Sequence, residues 1–137
     1  MKIADRILGA LLIVAALITA YYWWNYFAGG GDVMVTNARW YTAFESSFPI
    51  ADGWLAFCAL FAGYGFITGS RYTAAFGLMT ASAIFYLAAM DITFDIENGM
   101  YALTSSNAAM KFEIFINISC IILGVWTLIA SWRKYRA

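Results

Sequence analysis

The amino-acid sequence predicts an all-α integral membrane protein, a four-helix bundle with both the N- and C-termini cytoplasmic. The first ground is composition. Hydrophobic residues make up 64% of the 137 positions and charged residues 12%, against about 45–50% and about 25% in soluble domains. The second is length: a chain this short leaves much of its surface exposed, so in water it has nowhere to hide that apolar area. The third is arrangement. The apolar residues fall into four stretches, each near the ~20 residues that carry a helix across a bilayer. The single proline leaves those stretches free to run as helices.

The first span covers about 7–27, with no charge between Arg6 and Asp32. A signal peptide would also show Lys2 and Arg6 followed by an apolar run and a small-residue site such as Ile18-Thr19-Ala20. Here the run continues through Tyr21-Tyr22-Trp23-Trp24, as an interfacial anchor does, so it is read as a retained span. The second, 49–68, opens on Pro49, which suits a first helical turn. The third, 72–94, is charged only near its end, at Asp91. The fourth, 110–132, has Lys111 and Glu113 in its first turn. A long loop, 29–48, beginning Gly29-Gly30-Gly31-Asp32, separates the first two. The short Gly69-Ser70-Arg71 turn and a polar loop, 96–109, make the other connections. The whole chain, 1–137, is one transmembrane domain.

Lys2, Arg6, Arg71, Arg133, Lys134 and Arg136 fall on one side of these spans, and only Arg39 and Lys111 on the other. The excess of positive charge marks the cytoplasmic face. Loops 29–48 and 96–109 therefore face outward. The acids are distributed the opposite way: only Asp5 is cytoplasmic, and Asp32, Glu45, Asp52, Asp91, Asp95, Glu97 and Glu113 are outside. The short loops suit a bacterial inner membrane.

Membrane helices pack through small and polar residues. The fourth span carries such a stripe at helical spacing: Glu113, Asn117, Cys120, Gly124, Thr127, Ser131. The second has Asp52, Ala56, Ala59 and Gly63. The third has Gly77, Ala81, Ala88, Asp91, Asp95 and Asn98. The first offers only Gly9, Ala16 and Ala20, which predicts more peripheral packing. These stripes also make self-association or a membrane partner protein plausible. In three spans the small residues lie toward the cytoplasm and the carboxylates at the outer end. The expected site is thus an acidic pocket near the outer leaflet, built from Asp91, Asp95, Asn98, Asp52, Glu113 and Asn117. Loop 29–48 would act as its lid, hinged at the glycines, with Val33-Met34-Val35 and Trp40 to Phe44 lying on the membrane surface.

Ionisable groups in a span are costly and point to function. Asp52 and Glu113 have a structural reason to be there, since helix N-termini favour negative charge. Asp91 and Asp95 have none. They are like charges one turn apart at a helix C-terminus, so something must compensate them. Three compensations are open. Asp91, Asp95, Asp52 and Glu113 would hold a hard metal, Ca²⁺ or Mg²⁺, through oxygen ligands. A proton would neutralise one of them. Arg39 or Lys111 would fold over them as a fixed ion pair.

Several functions are excluded or disfavoured. The formal net charge is zero, so there is no basic surface for nucleic acid. There is no histidine, which removes a Ser-His-Asp triad and His-ligated haem or zinc. Cys58 and Cys120 form no paired redox motif. The expected function is the binding of a cation or small amphiphile at the outer acidic pocket, related to ion or substrate transport. A non-catalytic accessory or assembly protein working through helix contacts is the alternative. A lipid-active enzyme using a carboxylate as acid or base comes third, so catalysis is not the favoured reading.

Overall fold

The computed structural model describes residues 2–29 and 34–136, and all its regular elements there are helical. α1 is Ile3–Phe27, α2 Arg39–Glu45, α3 Pro49–Thr68, α4 Thr73–Glu97 and α5 Ala108–Tyr135, with a 3₁₀ turn at Met100–Ser105 before α5. α2 passes through a single turn into α3. Counting Arg39–Thr68 together, four helices are long and apolar enough to cross a membrane. The chain is a multi-pass, membrane-spanning four-helix bundle.

The helices outrun the apolar spans. α1 begins at Ile3 rather than near 7, α4 continues past 94 to Glu97, and α5 extends from Ala108 to Tyr135. Hydropathy marks only the lipid-facing part, whereas main-chain hydrogen bonding continues until a cap or turn stops it. Loop 29–48 contains a helix, α2. Gly30, Gly31, Asp32 and Val33 lie outside the described residues, and with them most of the expected hinge.

Successive long helices pack on one another. α1 lies along α3, α3 on α4 and α4 on α5, whereas α1 and α5 scarcely touch. Leu8, Leu12 and Ala16 of α1, Ala59, Ala62 and Phe66 of α3 and Ile84 of α4 make the main core. The first span does sit at the edge of the bundle, packed almost wholly on α3, but its pairing with α3 is the most intimate between helices. Gly9 and Gly63 explain why. A Cβ added to either would stand 2.6 Å from the other's carbonyl oxygen, so the two backbones meet directly. Only glycine on both sides permits that approach. Gly63 was legible as part of a stripe, but its partner on α1 was one small residue among few. Ala20, the third member of the α1 set, is exposed.

The other stripes face inward. Asn117, Gly124, Thr127 and Ser131 of α5 are buried, as are Gly77, Ala81, Ala88 and Asp95 of α4. Large apolar side chains such as Leu17, Ile122 and Ile129 point outward, where lipid would cover them. Trp24, Trp54 and Trp132 are at least half exposed near the ends of the spans, as belt residues are. Trp23 is 8% exposed and turns into the bundle instead.

Both termini lie at one end, where Lys134 Nζ donates to Asp5 Oδ2 at 2.9 Å and links α5 to α1. At the opposite end a second, smaller core of Val35, Tyr41, Met100 and Met110 seals the bundle. Asn107 holds it together. Its side-chain oxygen accepts from the Met110 amide at 3.1 Å and caps α5, and its Nδ2 donates to the Val35 carbonyl at 2.8 Å. The two bonds fix the approach to α2 against the start of α5.

Candidate functional site

The acidic end of the bundle encloses a cavity of about 170 Å³, lined from α1, α2, α3, α4 and α5. α1 contributes Ile18, Thr19, Tyr22 and Trp23, and α5 contributes Ala109, Phe112, Glu113 and Ile116. Four carboxyl groups face it: Glu45 from the end of α2, Asp52 from the first turn of α3, Asp91 from α4 and Glu113 from α5. No lysine or arginine lines it.

Three of these acids are held by aromatic donors. Trp23 Nε1 donates to Asp52 Oδ2 at 2.8 Å, the Tyr22 hydroxyl to Glu45 Oε2 at 2.8 Å, and the Tyr41 hydroxyl to Glu113 Oε2 at 3.1 Å. Each bond joins two helices. Each fixes one oxygen of its carboxyl group at the cavity. The α1 donors are also packed by aromatic rings: Trp23 meets Tyr22 and the neighbouring Tyr26 edge-on, with ring centroids 5.2 and 5.0 Å apart. Such contacts lock the side chains that orient the acids.

α2 is the roof. It has only seven residues, too few to be stable alone, and aromatic packing holds it down. Phe44 stacks on Phe94 of α4 with centroids 3.7 Å apart and an interplanar angle of 5°, and it meets Phe48 at 4.8 Å. Tyr41 and Glu45 stand one turn apart on α2 and so point the same way, into the bundle. α2, within loop 29–48, thus lies against the pocket and supplies two of its polar groups, Tyr41 and Glu45.

The expected site residues divide into three groups. Asp52, Asp91 and Glu113 come together at the cavity. Asp95 is fully buried behind its wall and faces Glu113 and Tyr101. Asn98 and Asn117 do not line it. Asn98 is exposed at the end of α4, with its Nδ2 turned back on the Phe94 carbonyl at 2.8 Å. Asn117 is buried one turn below Glu113, with Nδ2 unpartnered. The sequence reading missed Glu45, taken as a loop acid, and the roles of Tyr22, Trp23 and Tyr41, taken as interfacial anchors. The Tyr41–Glu45 spacing within an aromatic segment was the available signal.

The internal ion pair does not form. Arg39 and Lys111 are exposed, and Lys134–Asp5, at the other end, is the one salt bridge among the described residues. A metal centre also fits poorly. Ca²⁺ and Mg²⁺ gather oxygens within about 2.0–2.6 Å, and among the described residues no three acidic or cysteine side chains stand close enough to share an ion. The carboxylates surround a space rather than a point.

The 3₁₀ turn brings Tyr101 to the back of the site. Partial burial, first of all, raises its pKa above the ordinary phenol value. It stays a neutral hydroxyl.

Comparison with models of known families, with curated proteins and with solved structures finds no match to this chain.

Proposed function

We propose that the cavity binds the cationic head of a small amphiphile, whose apolar tail leaves between α1 and α5 into the bilayer. One observation carries this reading: four carboxyl groups face a cavity walled by aromatic and aliphatic side chains, with no basic residue among them. A cation would supply the missing charge, and aromatic faces favour organic ammonium groups in particular. The side exit rests on packing. α1 and α5 scarcely touch, and Ile18 and Phe112, on the two rims, are 46% and 53% exposed. In a membrane those rims meet lipid tails. The bias of Lys and Arg to the opposite end supports an outer-leaflet position for the pocket, in a bacterial inner membrane.

Thermal unfolding of the purified full chain in detergent tests the proposal, with hexylammonium as the probe. Ligand at a hundred times its Kd stabilises a folded state by about 2.7 kcal/mol. Hexylammonium is expected to raise the unfolding temperature of the wild type but not of Asp91→Asn, and hexanol is expected to do nothing. Stabilisation by Ca²⁺ or Mg²⁺ instead would make this a metal site. No effect from any of them would remove the cation reading.

A further inference from the structure

Asp95 is the one buried acid among the described residues at this end that does not line the cavity. Its side chain is 0% exposed, and both carboxyl oxygens lack a hydrogen-bond partner. The titratable groups that face it come from every neighbouring element: Glu113 from α5, Tyr101 from the 3₁₀ turn, Glu45 from α2 and Asp91 on its own helix. All are acids or phenols, and none is a base. An ionised carboxylate enclosed in this way has neither water nor a counter-charge, a state far costlier than the neutral acid. A proton removes that charge. It also gives Asp95 an O–H to present to the Glu113 carboxylate beside it. Glu113 in turn faces the cavity, so the proton has a short way out.

We propose that Asp95 holds a proton and releases it when a cation enters the adjoining cavity, so that the protein exchanges one for the other at its acidic end. The exchange rests on the cation reading given above. Its balance is simple. The Asp95 carboxyl becomes a carboxylate, the proton passes by way of Glu113 to the aqueous side, and the incoming cation replaces its charge. The net charge of the buried cluster is the same before and after. Asp91, one turn away on α4 and on the cavity wall, carries the influence of the guest toward Asp95.

Calorimetric titration of the full chain with hexylammonium, in buffers of different ionisation enthalpy, counts the protons released. The wild type is expected to release about one proton per ligand, with affinity rising by up to about tenfold per pH unit while Asp95 is protonated. Asp95→Asn is expected to bind with no release and with affinity independent of pH. Binding by the wild type without release would overturn the exchange and leave the cavity reading standing. No binding would overturn both. Release that persists in Asp95→Asn would overturn the assignment to this residue. If that variant does not fold, the infrared spectrum of the wild type decides. Loss of a protonated-carboxyl band on adding hexylammonium supports the exchange, and an unchanged band overturns it.

Discussion

Tyr41 and Glu113 are joined by a 3.1 Å hydrogen bond from the phenol of one to Oε2 of the other, across 72 positions of sequence. The bond ties the roof of the cavity to α5, and Tyr41 is almost wholly buried while making it.

Tyr41→Phe keeps the ring and removes the donor. A hydrogen bond of this kind contributes about 1–3 kcal/mol. The expected result is a loss of that order in global stability, with faster amide exchange over 39–45 and little change within α3 and α4. Unchanged exchange in α2 would mean that the Phe44–Phe94 stack alone holds the roof.

Gly63→Ala is expected to force α1 away from α3, because the new methyl would lie 2.6 Å from the Gly9 carbonyl oxygen. Overpacking of this sort costs about 1–3 kcal/mol. Gly53→Ala is the control. Nothing lies within 4 Å of a Cβ there, and alanine is the better helix former by up to about 1 kcal/mol. Detergent unfolding should show the first variant destabilised and the second neutral or slightly stabilised. Equal behaviour would contradict the direct backbone crossing.

Gly77 of α4 has the Ser131 hydroxyl of α5 directly over it, too close for any Cβ. Gly77→Ala is therefore expected to destabilise the α4–α5 pair. Ser131→Gly should rescue much of that loss, because it clears the same space. The coupling between contacting residues should amount to about 0.5–3 kcal/mol in a double-mutant cycle. Additive effects would place the two helices further apart.

Much of the fold was legible because the bilayer makes strict demands. It sets the number and length of apolar stretches, so the spans could be read from composition and spacing. The inward stripes on α3, α4 and α5 could be read as well, since Ala59 and Gly63, Gly77 and Ala81, and Asn117 and Gly124 stand at helical intervals on their own helices. Two things escaped. One was the tight seat of α1, which depends on a single glycine meeting another across space, and no one-dimensional pattern reports that. The other was the role of α2. Glu45 and Tyr41 belong to a helix too short for periodicity to declare, and its stability comes from stacking on Phe94. The candidate site was half visible for the same reason. The carboxylates on long helices stood out, and the aromatic donors that orient them looked like membrane anchors. Trp23 and Trp24 are adjacent in sequence, and only the packing separates the one that binds Asp52 from the one that faces outward.

The open seam between α1 and α5 bears on how the molecule is put together. The long helices form an arc, and each docks on its predecessor in the chain. During synthesis α1 waits only for α3, and α5 finds α4 already in place. The last span meets the first only weakly, chiefly through Lys134 and Asp5. Contacts with short connections form fastest, and the long helices pair mainly with the helix next along the chain. Joining the two ends through a linker and cutting the chain at the Gly69–Ser70 turn would leave every major helix contact except α3 on α4 within an uncut segment.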